Sequence, residues 1–283
     1  TSNICSFFLE KSLRLAKYVA LVFPKFLLNT PEFSTTRAEL AQKSVDAILD
    51  FGEKGFPGIL VETIAIFINN LAAPANTKVF SLTHRLHLTQ PQAYIFDPEL
   101  PYWIIYRNQL FDSVCRKLDF DVFEVFRDRQ LTNKLLSSSG ELRVLKSRNL
   151  SDDGKMICDI PNYDSYISRS AAKNLAVFQY FDAPNVYITP NMTYKPRMMK
   201  KPLHCLVNGS LAILIPKKDF TLSEKQLSYF STEEYRAFYQ IARNFQTRSL
   251  NVDACSVFFY GLLRDEAKPA PEKFDTSVQL SFL

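Results

Sequence analysis

The chain has 283 residues, 47% hydrophobic and 22% charged, with a formal net charge of +5, which describes a globular protein with a sizeable core in one large domain or two ordinary ones. No apolar run approaches the ~20 residues of a membrane span, and residues 4–28 lack the charged start and small-residue cleavage site of a signal peptide. The five scattered cysteines (Cys5, Cys115, Cys158, Cys205, Cys255) form no C-x-x-C pair, which argues against a zinc site and a disulfide framework and for a reducing, cytoplasmic setting.

In chain order, Ile4, Phe7, Phe8, Lys11 and Leu15 follow helical spacing and predict an amphipathic helix to Lys17. Tyr18–Phe23 is a continuous apolar run of strand length, the pattern of a strand buried on both faces, and Pro24 stops it. Thr30-Pro31-Glu32 supplies an N-cap, a proline at the first helical position and an early acid for a helix to about Lys43. Val45–Phe51 and Glu62–Ile68 read as two further strands. Between them Gly52, Gly55 and Gly58 invite a phosphate-loop reading, but they lead into a β-branched strand rather than opening a helix, so they read as a connecting loop. With Thr at position 1 and the first methionine at Met156, the chain reads as a fragment or a processed piece.

At this point a resemblance enters. The run NICSFFLEKSLRLAKYVALVFPKFLLN is similar to the segment after the catalytic motif in adenine-N6 DNA methyltransferases of the TaqI-like group, and VDAILDFGEKGFPGILVETIAIFI resembles the last two strands of that domain. The resemblance implies an α/β fold, the C-terminal part of a Rossmann-like methyltransferase sheet whose last strand is antiparallel, over residues 1–72. It also implies S-adenosylmethionine as cofactor, with Phe7 or Phe8 in apolar contact with it and Phe67 near a flipped target base. The family's glycine loop for that cofactor, and its Asn/Asp-Pro-Pro-aromatic motif that holds the adenine amino group, have no counterpart here; no two prolines are consecutive. Catalytic residues are therefore expected outside this chain.

Leu71–Thr77 (LAAPANT) is a small-residue and proline break, the expected domain boundary, with a mixed α+β domain over residues 78–283. There a helix is expected from about Tyr102, strands at Phe123–Arg127, Glu141–Leu145 and Leu211–Pro216, and a helical stretch at Leu131–Leu136. Ser223 and Ser231 are expected to cap helices near 224–230 and 232–244. Between Asn191 and Lys218 stand six basic residues (Lys195, Arg197, Lys200, Lys201, Lys217, Lys218) and no acid; between Glu124 and Asn149, six bases face three acids. Such stretches on a balanced body suggest an anionic partner, double-stranded DNA first, against the plainer reading of a solvated charged face.

RVLKSRN, a polar strand and a two-helix tail resemble the target-recognition domains of bacterial modification methyltransferases, nearest those of type IIS restriction systems, over about residues 120–262. Arginine presents a planar fork to guanine, asparagine pairs with adenine, and lysine and serine reach phosphates. Arg127, Arg129, Gln130, Arg143, Lys146, Ser147, Arg148, Asn149, Tyr194, Lys195 and Arg197 are the expected DNA contacts. Arg243, Asn244, Gln246 and Arg248 read instead as a cap or an interdomain contact. Other chemistries find little support: His84 and His87 (H-x-x-H) suit a solvated strand face better than a metal pair, no G-x-S-x-G elbow occurs, and Glu266-Ala267-Lys268 alone resembles a nuclease signature.

The expected function is a site-specific adenine-N6 DNA methyltransferase of a restriction–modification system, present here as its DNA-recognition part. Its partners would include the missing N-terminal catalytic half or a cognate restriction endonuclease. The rivals are a non-catalytic DNA-specificity subunit that borrows a catalytic chain and, behind it, a restriction endonuclease fragment.

Overall fold

A computed structural model describes residues 3–58, 60–247 and 251–265; Arg248 and Glu266-Ala267-Lys268 lie outside them. The described residues fall into two compact units. The first holds residues up to Ser113 with Gln240 to Thr247, and the second holds Val114–Tyr239 with Asn251 to Asp265.

The first unit opens with α1 (Ile4–Leu15), capped by the Asn3 side chain, which accepts from Cys5 N. Then come β1 (Tyr18–Pro24), two short 3-10 turns, α2 (Ser34–Ala41), β2 (Ser44–Gly52), β3 (Thr63–Asn69), β4 (Asn76–Ser81), β5 (Leu86–Pro91) and the short α3 (Gln92–Ile95). Gly52 ends β2, and Gly55 and Gly58 lie in the connection to β3. The sheet order is β1-β3-β2-β4-β5, with β3 antiparallel to both β1 and β2, and β4 parallel to β2. The last of the three resemblance-bearing strands thus sits antiparallel between the earlier two, and the fold is mixed α/β.

Three expectations are corrected here. β1 is the edge strand of the described sheet and is covered on one face only: Val19 and Phe23 are buried while Tyr18 and Val22 on the other face are 68% and 50% exposed. The break at 71–77 is a turn inside one sheet, since β4 and β5 continue past it, and the division between units falls after Ser113. Small residues and proline mark a tight reversal as readily as a linker.

The helix expected from Tyr102 starts only at Gln109, as α4 (Gln109–Lys117). Tyr102, Trp103, Ile104, Ile105 and Tyr106 are all buried. Five consecutive buried side chains cannot share one stripe of a helix. Their backbone is served by tertiary partners instead: Asn244 accepts from Ile105 N (2.9 Å) and donates to Trp103 O (2.8 Å), and Trp103 N donates to Leu28 O (3.3 Å). Asn244 and Gln246 are therefore buried pins of this unit, with Gln246 bonded to Asn29 (2.6 Å).

The second unit runs through the end of α4, β6 (Leu118–Asp119), β7 (Phe123–Phe126), β8 (Leu142–Leu145), β9 (Ser165–Ile167), α5 (Arg169–Ala172), β10 (Tyr187–Pro190), β11 (Met199–Lys200), β12 (Cys205–Val207), β13 (Leu211–Pro216), α6 (Glu224–Tyr229), α7 (Glu233–Ala242) and β14 (Leu262–Leu263). Its strands form sheets of order β11-β10-β13-β7, β12-β8-β9 and β14-β6. Val144, Leu145, Val177, Ile188, Leu206 and Ile213 belong to one core beneath the first two. Residues 131–136 hold only a 3-10 turn at Asn133–Leu135. Ser223 caps α6 by accepting from Gln226 N (3.2 Å). The hydroxyl accepting at the start of α7, from Tyr235 N, is that of Thr232 and not of Ser231, which donates to Asp153 O (3.0 Å). No described helix is long and apolar enough to cross a membrane.

Candidate nucleic-acid interface

β13 runs antiparallel to both β7 and β10, pairing Ile213 with Phe126 and Leu211 with Pro190, so the C-terminal ends of β7 and β10 flank the start of β13. β8 and β12 run parallel, with Leu145 beside Val207. The turn Asn208-Gly209-Ser210, which carries β12 into β13, therefore sits where four strand ends converge. It hydrogen-bonds the loops leaving β8 and β10. Asn208 N donates to Leu145 O (3.1 Å), Ser147 N to Ser210 Oγ (2.9 Å), and Asn191 N to Ser210 O (2.9 Å). Asn191 Nδ2 donates to Gly209 O (3.1 Å). Gly209 itself meets the loop after β7, for a Cβ there would lie 2.6 Å from Asp128 O.

Three segments singled out in the sequence thus meet at one edge: Arg127–Gln130 after β7, Arg143–Asn149 at the end of β8, and Tyr194–Arg197 after β10. Their side chains divide into two groups. Arg197 is 8% exposed and donates to Ser147 O (3.1 Å), Leu150 O (3.2 Å) and Lys195 O (3.2 Å). Burial pushes its pKa below that of a free guanidinium. Asn149 is fully buried; it accepts from Lys146 N (2.9 Å) and donates to Cys158 O (2.9 Å) and Asp164 Oδ1 (2.6 Å). Arg143 pairs with Asp159 (2.6 Å) and Asp164 (3.1 Å). Lys146 Nζ donates to Tyr163 O and to Ser165 Oγ (2.9 Å), and burial lowers its pKa. Gln130 Oε1 accepts from Ala176 N (2.8 Å). These side chains hold the loops in place.

Arg129, Arg148 and Lys195 are exposed, and Arg127 is half-buried with Nη1 at 3.4 Å from Asn191 Oδ1. Burial, and then the charge of Arg129, lower the pKa of Arg127. Tyr194 is half-buried, and the Ser147 backbone is tied down at both its N–H and its carbonyl. The long basic stretch shrinks in the same way: Lys201 is buried against Phe181 O (3.1 Å) and Pro202 O (2.8 Å), and Lys217 pairs with Asp121 (2.6 Å).

The junction also depends on Tyr163, Asp164, Asn191 and the turn at 208–210, none of them among the expected DNA contacts. Asn208-Gly209 between two apolar runs is a turn signal in the sequence; the others carry no local signature.

In the first unit, Phe7, Phe8 and Phe67 are 52%, 65% and 41% exposed. No acid stands in the first turn of α1, and the glycines at 52–58 join two antiparallel strands rather than opening a helix. No His/Cys/Asp/Glu cluster among the described residues suits a metal ion. His87 stacks on Phe80 at 4.4 Å, and His84 lies over Phe245 at 4.7 Å.

No family model and no curated protein matches the chain. Among solved structures, the type IIG restriction endonuclease BpuSI is similar over 91% of this chain and 41% of its own length, at 10% identity and a TM-score of 0.34. The chain thus spans about two fifths of that enzyme, and a likeness this loose decides nothing about the site.

Proposed function

We propose that the chain is the DNA-recognition part of a site-specific adenine-N6 DNA methyltransferase from a restriction–modification system. The observation that carries the DNA-binding half of this reading is the strand-end junction. Two polar, basic loops are hydrogen-bonded to one turn and a third packs against its Gly209, and Arg129, Arg148 and Lys195 are left exposed on them. A rigid base with free cations suits a polyanion, because the loops are ordered before binding. The methyltransferase half rests on the sequence resemblance and on the antiparallel placement of β3 between β1 and β2. On this reading the methyl group of S-adenosylmethionine would pass to adenine N6 in a complete enzyme, and these residues alone would not transfer it.

The test is salt-dependent binding of the chain to duplex DNA. Affinity should fall steeply between low and moderate salt. Reversing Arg129, Arg148 and Lys195 to glutamate should lower it more than tenfold, with folding unchanged. Absence of binding at low salt, or indifference to the triple reversal, would overturn the assignment. Methylation of DNA by this chain alone would overturn the division of labour.

A further inference from the structure

Arg148 differs from the other exposed cations of the junction in having its orientation set. Arg129 and Lys195 make no side-chain hydrogen bond or ring contact for their charged ends among the described residues. The Arg148 guanidinium, by contrast, lies over the Tyr163 ring, 4.7 Å from its centroid, and the Arg148 N–H donates to the Tyr163 hydroxyl at 3.4 Å. The backbone on both sides of Arg148 is fixed, through Ser147 N to Ser210 Oγ (2.9 Å) and through the fully buried Asn149. The Tyr163 backbone is fixed as well: its N–H donates to Ile160 O (3.0 Å), and its carbonyl accepts from Lys146 Nζ.

The charge around this ring is unbalanced. Lys146 Nζ also approaches the Tyr163 ring, at 3.9 Å, so two cations share one aromatic side chain. The nearby carboxylate of Asp164 already serves Arg143 and Asn149, and Arg148 has no ion pair among the described residues. A guanidinium resting on a ring keeps its in-plane N–H groups free, aimed outward as a flat fork. That fork matches the paired acceptors O6 and N7 of guanine in the major groove. Holding it still before binding removes the entropy cost of ordering a long side chain at the interface.

We propose that Arg148 reads a guanine edge and that Tyr163 is the positioning residue that presents it, while Arg129 and Lys195 contact phosphates without reading sequence. This inference rests on the DNA-binding reading above.

The experiment is selection of bound duplexes from a random pool by the full chain, compared with Tyr163→Phe, Tyr163→Ala and Arg148→Lys. The wild-type chain should select a site containing a guanine. Tyr163→Phe keeps the ring and should select the same site. Tyr163→Ala should lose about tenfold or more of the preference for guanine at one position, with the salt dependence of non-specific binding unchanged. Arg148→Lys keeps the charge on an exposed side chain, so it should fold normally and lose the same preference. Retention of the guanine preference by Tyr163→Ala or by Arg148→Lys would overturn the proposal. So would a loss of affinity that is equal for all sequences with a shallower salt slope, which would make Arg148 a phosphate contact. Failure of the wild-type chain to bind any DNA would remove the DNA-binding reading itself, an outcome distinct from binding that is indifferent to Tyr163.

Discussion

Lys25 Nζ lies 2.7 Å from Asp50 Oδ2, with both side chains closed to solvent. The same carboxylate oxygen accepts from the Tyr106 hydroxyl, Asp50 Oδ1 accepts from Gly52 N (2.9 Å), and Glu62 Oε1 stands 3.6 Å from the ammonium. Lys25 follows β1, Asp50 is near the end of β2 and Glu62 precedes β3, so the network ties three strand ends together. Taking away one member of a buried ion pair leaves the other charged in a dry site, which costs about 3–5 kcal/mol. Lys25→Met should therefore lower the urea unfolding free energy by an amount of that order. The double variant Lys25→Met/Asp50→Asn should lose less than the sum of the single losses. A loss below about 1 kcal/mol for Lys25→Met would show that water reaches the pair.

A buried hydrogen-bond hub in the second unit gives a second expectation. Asn149 makes three side-chain hydrogen bonds, to Lys146 N, Cys158 O and Asp164 Oδ1, at full burial. Asn149→Ala should destabilise by about 1–3 kcal/mol for each partner left unsatisfied. Asn149→Asp should be worse, because it replaces a donor with a carboxylate facing that of Asp164. Chemical denaturation of both variants checks the order, and an Asn149→Asp variant as stable as wild type would sink it.

This residue also shows what the sequence did and did not disclose. β2, β8 and β13 were legible because apolar runs and turn residues are local signals, and so was the Ser223 cap. Asn149, Arg143 and Arg197 stand out in the sequence by their polarity, which does not show which groups they bond. Whether an arginine faces solvent or the carbonyls of Ser147 and Leu150 depends on which strands adjoin, and that is a long-range property. The buried run Tyr102–Tyr106, within the helix expected from about Tyr102, is not helical for a similar reason: its backbone partner Asn244 stands far away in sequence. The strand pairing that keeps β4 and β5 in the first sheet is likewise invisible in the composition of residues 71–77.

Glu234 sets a pH dependence. It accepts from Lys117 Nζ and, at 3.0 Å, from the Tyr229 hydroxyl. The hydrogen bond from Lys117 is the largest influence, and with Tyr229 it outweighs burial to hold the carboxyl below its ordinary 4.5. The folded state then binds this proton less readily than the unfolded chain. Its contribution to stability is present above the ordinary value and is lost as pH falls through the lowered one. Lys117→Met should flatten the acid limb of the stability–pH curve, and Glu234→Gln should remove this portion of it. An unchanged acid limb in both variants would assign the acid sensitivity to other carboxylates.

Gly209 supplies the last expectation, because it separates shape from charge at the junction. A Cβ at this position would lie 2.6 Å from Asp128 O, a backbone atom that cannot swing aside as a side-chain end would. Gly209→Ala must therefore move the loop after β7 or the turn itself, and overpacking of this kind costs about 1–3 kcal/mol. The loop after β7 carries Arg127 and Arg129, the turn anchors the loops after β8 and β10, and the variant keeps the net charge of the chain. If DNA is gripped by a rigid constellation, Gly209→Ala should weaken binding several-fold at fixed salt and leave the salt slope close to wild type, since the number of available cations is unchanged. If binding depends on net charge alone, Gly209→Ala should bind as wild type does once the folded fractions are matched. Measuring stability and DNA affinity on the same preparation distinguishes the two, because a loss of affinity explained entirely by unfolding would argue against a positioned interface.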